Sequence, residues 1–160
     1  MKKKLILLPV LITIAALSAE ISAQVYTGGN IGLHIDDRST YADIAPVLGY
    51  RQGIFDFGIS PFFSYRDYHE LAERYSYGNR IFTQITFIPG VFAHGELEVT
   101  NIETSAGDRK WITGLPLGGG YRYSITHRTR AYGMVLYDVL LDDESPVRNP
   151  IFRAGVVYDF

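Results

Sequence analysis

The chain has 160 residues, a net charge of −2, no cysteine, and 47% apolar and 14% aromatic residues. Its balanced charge argues against a nucleic-acid-binding protein, and the lack of cysteine excludes disulfide bonds and lipid attachment through a cysteine. Beyond residue 23 no apolar run approaches the length of a membrane-spanning helix, so the abundant tyrosine and glycine favour strands and turns.

The amino terminus has the three parts of a secretory signal peptide. Lys2, Lys3 and Lys4 precede an apolar run over residues 5–17, and small residues lead up to Ala23. This order is typical of a cleaved export signal, and the run is short for a spanning helix. We expect a signal peptide over 1–23 and one domain over 24–160, with a retained membrane anchor as the alternative.

After the export signal, apolar and polar side chains alternate with a period of two, which predicts β-strands with one apolar face. The third segment is the clearest, because Phe55 and Phe57 alternate with Asp56. In the seventh segment the apolar face is ambiguous, and we favour Val135 outwards because the opposite choice turns Asp138 outwards. Eight segments follow one another along the chain: 25–35, 41–51, 54–68, 77–88, 91–102, 110–123, 129–140 and 151–160.

The predicted connections alternate between short and longer. The short turns are 52–53, 89–90 and 124–128, and the polar, mostly longer loops are 36–40, 69–76, 103–109 and 141–150. Short turns on one side and longer loops on the other are typical of antiparallel membrane barrels. Such a barrel must close, because hydrocarbon cannot hydrogen-bond an open sheet edge. An even number of strands brings both ends of the domain to the side of the short turns.

The last segment carries a specific pattern in Arg153, Gly155, Tyr158 and Phe160. A polar residue, a glycine and two terminal aromatics resemble the insertion signal of bacterial outer-membrane β-barrels. That resemblance implies the barrel-assembly machinery as a partner. An ordinary amphipathic edge strand is the alternative interpretation.

Aromatic side chains on the predicted outward face collect near the strand ends. Amphipathic rings favour the headgroup region of a bilayer, so two aromatic girdles are expected. The predicted loop-side girdle is Tyr65, Tyr77 and Trp111, and the predicted turn-side girdle is Tyr50, Phe55, Tyr121 and Tyr123, followed by Tyr158 and Phe160.

Several stretches along the whole domain resemble the small outer-membrane barrels of the OmpA/OmpX type, and more closely the short barrel proteins of Bacteroidota. These stretches are 28–33, 44–50, 92–98, 117–122 and 149–153. The resemblance implies an all-β fold: a transmembrane antiparallel up-and-down β-barrel of eight strands in the outer membrane of a Gram-negative bacterium. It implies no activity, because most members of this group have none assigned.

The predicted inward face is rich in ionisable side chains. An eight-stranded barrel is only just wide enough for its own side chains, and isolated buried charges are costly. We therefore expect arginine–carboxylate pairs that fill the interior, with a narrow ion or small-solute channel as the alternative. The expected ionic cluster is Arg66, Arg80, Glu96, Glu98 and Arg122.

A lipid A-modifying enzyme is a second alternative. His94 lies near Glu96 and Glu98 in the sequence, but these side chains have inward parity, and no nucleophile motif accompanies them. The histidines are scattered, so we predict no catalytic residues, no cofactor and no metal site. The expected role is structural or surface interaction. The expected partners are outer-membrane lipid and lipopolysaccharide, with a larger outer-membrane complex as a further option and no nucleic acid.

Overall fold

The computed structural model describes residues 24–35, 39–68, 71–104, 107–140 and 149–160. The predicted signal peptide and parts of all four predicted loops lie outside these residues. Within the described ranges, no helix is long and apolar enough to cross a membrane.

The described residues form nine antiparallel strand segments that close into one barrel. Hydrogen-bonded neighbours follow the order β4-β3-β2-β1-β9-β8-β7-β5-β6, and the additional pairing of β4 with β5 closes the sheet. The segments are β1 (Gln24–Ile35), β2 (Ser39–Gln52), β3 (Phe55–Tyr68), β4 (Leu71–Ile88), β5 (Val91–Glu103), β6 (Arg109–Gly114), β7 (Pro116–Ser124), β8 (Thr129–Asp138) and β9 (Ile151–Asp159).

The barrel has eight strand positions, because β6 and β7 are two parts of one strand. Residues 98–103 of β5 pair with β6, and residues 91–95 pair with β7. The sequence predicts one continuous segment here, but the structure interrupts it at Leu115. Pro116 has no N–H to donate to a ladder, and the Asp138 carboxylate instead accepts hydrogen bonds from the backbone N–H of Leu115 (2.8 Å) and of Leu140 (3.0 Å).

The alternating faces of the strands confirm the predicted inside and outside of the barrel. Ile44 and Ile81 are each 62% exposed on the outward face, whereas Arg80 is 1% exposed on the inward face. Val135 and Tyr137 of β8 point outwards, as predicted from the position of Asp138. The barrel is thus apolar outside, and its interior holds charged and polar side chains beside apolar ones such as Phe92 and Leu136, unlike the mainly apolar core of a water-soluble domain.

Inward-facing aromatic rings lie over inward-facing glycines of the neighbouring strand. A Cβ atom built on Gly58 would lie 2.4 Å from Cζ of Phe82, its register partner. Each of these glycines therefore provides the space that a large ring fills. The directly paired residues are Tyr26 with Gly49, Phe62 with Gly78, Phe82 with Gly58, Phe92 with Gly120, and Tyr132 with Gly155.

Two of the three short turns contain a glycine in the left-handed conformation. Gly53 has φ +60° in the turn between β2 and β3, and Gly90 has φ +85° after Pro89 in the turn between β4 and β5. Other residues rarely adopt this left-handed conformation. Both lie where the alternation predicts tight connections.

The β3–β4 hairpin is longer than predicted. Residues 69–76 were expected to form a loop, but β4 begins at Leu71, and Tyr75 pairs with Tyr65. Stacking explains the extension, because the ring of Tyr75 lies 5.8 Å from that of Phe63 and 5.4 Å from that of Tyr65. Polar residues at the end of an amphipathic strand do not exclude strand structure.

Candidate functional site

The side chains that could do chemistry collect in the lumen of the barrel. Burying them requires partners, since an unpaired buried charge is prohibitively costly. The buried charged and histidine side chains among the described residues are Asp43, Asp56, Arg66, Arg80, His94, Glu96, Arg153 and Asp159.

A central cluster joins Asp43, Arg80, Glu96, Glu98 and Arg153 across the barrel. The guanidinium of Arg80 donates to Glu98 Oε2 (2.7 Å) and to both carboxylate oxygens of Asp43 (3.2 and 3.3 Å). Arg153 comes from β9, across the lumen, and donates to Glu96 and to Glu98 (3.3 Å). Two arginines therefore share three carboxylates on strands β2 and β5, which ties non-adjacent strands together.

A second group, the mouth cluster, lies at the turn end and comprises Arg51, Asp56, Arg122, Arg130 and Asp159. Arg51 contacts both acids: its Nε lies 2.6 Å from Asp56, and its Nη1 lies 2.8 Å from Asp159. Arg122 donates to Asp56 (2.8 Å), and Arg130 donates to Asp159. In this cluster three cations share two anions.

Gln84 and His94 connect the two clusters. The Gln84 carbonyl oxygen accepts from Arg122, so its amide nitrogen faces His94 Nδ1 (2.9 Å). The amide donates there, and Nδ1 must accept. The imidazole proton is consequently on Nε2, which donates to Glu96 Oε2 (2.9 Å). A hydrogen-bonded chain thus runs from the mouth to the centre of the lumen.

Little open space is left around this network. A cavity lies beside His94, and Tyr26, Asn30 and Tyr132 line part of it. The volume that the centres of water molecules can occupy in it is about 20 Å³. That volume suits one or two waters rather than a continuous aqueous path. The central part of the lumen is therefore filled by side chains.

The residues predicted as one ionic cluster divide between these groups. Arg80, Glu96 and Glu98 lie together in the central cluster, whereas Arg122 belongs to the mouth cluster. Arg66 is buried on β3 at 6% exposure.

The sequence predicts inward-facing ionisable side chains for further members of both clusters, but the expected ionic cluster does not include them. These residues are Asp43, Arg51, Asp56, Arg153 and Asp159. Asp43 shares the inward parity and faces Gly32 in the register, so an acid opposite a glycine could have pointed to it. Arg153 is part of the terminal pattern and is also predicted to face inwards. Its guanidinium in fact binds the central carboxylates.

The predicted girdle aromatics lie at the two ends of the outward face. Tyr77 and Trp111 make an edge-to-face contact at the loop end, with ring centroids 6.0 Å apart. Tyr65, beside them on β3, is half-buried against Tyr75. The remaining predicted girdle residues, all exposed at the turn end, are Tyr50, Phe55, Tyr121 and Tyr123.

The residues of the predicted insertion pattern have different surroundings. Tyr158 and Phe160 are exposed, and their rings make an edge-to-face contact at 5.7 Å. Gly155 faces inwards beneath the ring of Tyr132. The backbone N–H of Phe160 donates to Val25 O (3.1 Å), which places both ends of the described domain at the turn end.

The described residues contain no group of three or more histidine and acidic side chains suited to a metal ion. His94 is engaged at both ring nitrogens, and His127 is exposed in the β7–β8 turn. The chemistry that the lumen supports is ion pairing and hydrogen bonding.

The fold and its contents define a class: a closed antiparallel β-barrel of eight strand positions with an ionic interior. The same fold occurs in the amino-terminal β-barrel domain of OprF from Pseudomonas aeruginosa, at 16% identity and a TM-score of 0.55, over 85% of this chain and 97% of that one. It also occurs in Neisserial surface protein A, at 15% identity and a TM-score of 0.50, over 87% and 99% of the two chains. No protein-family model and no curated protein sequence matches the chain.

Proposed function

We propose that this protein is a small integral outer-membrane barrel whose side-chain-filled lumen serves stability rather than transport, with a structural or surface-interaction role. The observation that carries the proposal is the inverted burial: Ile81 and Phe87 are more than 60% exposed, while Arg80 and Asp159 are at most 1% exposed. An apolar exterior of this kind needs hydrocarbon around it. The fold shared with a neisserial surface protein supports the same interpretation.

Location and partners follow from the same proposal. With the turn end in the periplasm, both ends of the domain lie where the terminal pattern of Arg153, Gly155, Tyr158 and Phe160 would meet the barrel-assembly machinery. The outward aromatic rings at both ends would lie in the headgroup regions. Outer-membrane lipid and lipopolysaccharide would then surround the barrel, and the exposed outer surface leaves room for a larger complex.

The single tryptophan tests membrane insertion directly. Trp111 is the chain's one tryptophan, and it lies 58% exposed at the loop end of the barrel. In vesicles, lipids brominated near the headgroup should quench its fluorescence more strongly than lipids brominated near the chain end. The matched control combines Trp111→Phe with Leu117→Trp, which moves the reporter towards mid-barrel and should reverse the order. Equal fluorescence with and without brominated lipid would refute the membrane location.

Planar-bilayer recording separates the filled lumen from the channel alternative. The central cluster ties β2, β4, β5 and β9 together, so we expect no steady single-channel current from the folded protein. Regular conductance steps would refute the filled lumen and leave the membrane location intact.

The enzyme alternative has less support, because Glu96 and His94 are hydrogen-bonded to each other inside the lumen and face away from lipid. An altered acylation pattern of lipid A after overexpression, read by mass spectrometry, would overturn this view.

A further inference from the structure

The mouth cluster carries more positive than negative side chains. Within the described part of the chain, the acids that Arg51, Arg122 and Arg130 contact are Asp56 and Asp159, and these two carboxylates are 1% and 0% exposed. Guanidinium groups keep their charge at any accessible pH. Among the described residues, the mouth cluster therefore has a local excess of one positive charge at the turn-end opening of the lumen, whereas the central cluster, with two arginines and three carboxylates, has an excess of one negative charge.

The available hydrogen-bond donors point to the same excess. Nη2 of Arg51 and Nε of Arg122 are buried and have no hydrogen-bond partner within the described part of the chain. Buried donors of charged groups are costly to leave unsatisfied. Both aspartates are already shared, each between two arginines. Asp56 Oδ1 is itself buried without a hydrogen bond in the described residues and lies 2.6 Å from Arg51 Nε, so the donor left over on Arg51 is Nη2.

The opening gives solvent access to the same group. The side chain of Arg130 is 20% exposed and that of Arg51 is 13% exposed, compared with 1% for Arg80 in the central cluster. Arg128, in the adjacent β7–β8 turn, is exposed and donates to the Tyr158 hydroxyl (3.3 Å). An anion approaching from the turn side would reach Arg130 and Arg51 without disturbing the central cluster.

We propose that the mouth cluster binds an oxyanion of the phosphate type, held by Arg51 and Arg130. The anion offsets the local excess of positive charge in the mouth cluster and accepts hydrogen bonds from the partly exposed guanidinium groups of Arg51 and Arg130. Planar guanidinium groups match phosphate oxygens in geometry, and such charge-assisted bonds are among the strong ones. The ligand is either dissolved phosphate or the phosphodiester of an anionic lipid at the rim. The site does not depend on the proposed role of the barrel.

The experiment uses the folded protein in a non-ionic detergent. Isothermal titration with inorganic phosphate at constant ionic strength, set with sodium chloride, measures the soluble source. Native mass spectrometry with phosphatidylglycerol, against phosphatidylcholine, measures the lipid source. Binding in either assay that Arg130→Gln weakens at least tenfold supports the proposal, and the active assay identifies the source.

Two further variants keep the result interpretable. Arg109→Gln is the matched control, because Arg109 is an exposed arginine at the loop end, where it donates to Asn101 (2.8 Å); it should bind like the unchanged protein. Arg130→Lys keeps the charge and should retain part of the binding, which guards against misfolding in Arg130→Gln. No binding of either probe, or an equal loss in Arg109→Gln, would overturn the site.

Discussion

Replacing Gly58 with alanine should destabilise the barrel by a predictable amount. The added Cβ would lie 2.4 Å from Cζ of Phe82 and 2.6 Å from the carbonyl oxygen of Leu48, whereas ordinary contact begins at 3.4 Å. The ring or the backbone must therefore move by about 1 Å, and overpacking of this kind costs about 1–3 kcal/mol. Because one of the two obstacles is backbone, rotating the ring alone does not remove the clash.

The matched control is Gly133→Ala. Gly133 lies on the outward face, where an added Cβ meets only Arg153 O at 4.0 Å, and alanine there should be neutral or stabilise by up to about 1 kcal/mol. Urea titration in lipid vesicles, with the folded fraction read from heat-modifiable gel migration, measures the difference. A smaller, aliphatic side chain in the double variant Gly58→Ala, Phe82→Leu should recover part of the loss. If Gly58→Ala and Gly133→Ala unfold at the same urea concentration, the ring-over-glycine explanation is wrong.

Three more substitutions test the interior, the strand break and the exterior in the same urea assay. Arg80→Met leaves Asp43 without its partner and should cost about 3–5 kcal/mol, part of which Asp43→Asn should restore. Asp138→Ala removes the acceptor at the interrupted strand and should cost about 1–3 kcal/mol, with faster amide exchange at Leu115; unchanged exchange would contradict the capping role. Ile81→Arg puts a charge on the outward face and should cost about 2–4 kcal/mol in vesicles, while Ile81→Leu should cost little; equal effects would argue against lipid contact.

The fold could be predicted because period-two alternation is a local property. Phe55, Asp56 and Phe57 reveal their faces without reference to any other strand, and glycine marks the turns at Gly53 and Gly90. The interruption at Leu115 could not be predicted in the same way. The alternation of apolar and polar residues continues through Pro116. The acceptor for the Leu115 N–H is the carboxylate of Asp138, which lies on another strand.

The division of the lumen side chains into two clusters could not be predicted from the sequence either. Parity assigns Arg122 and Glu98 to the same interior, but it does not say at which depth each lies. Depth follows from the stagger between strands, and that stagger places Arg122 beside Asp56, 66 residues away along the chain. The sequence therefore indicates which side chains face inwards, and only the closed barrel indicates which of them meet.

The ring-over-glycine pairs also help to determine the dimensions of the barrel. Sliding one strand past its neighbour by two residues keeps every apolar side chain outside, so the alternation alone tolerates that error. The pairs do not tolerate it. Phe82 would move from Gly58 onto Asp56 or Ser60, Phe62 is obstructed at the same junction, and three other rings are obstructed at three further junctions. The pairs thus fix the register at four strand junctions and so restrict the shear, and with it the tilt and diameter of the barrel.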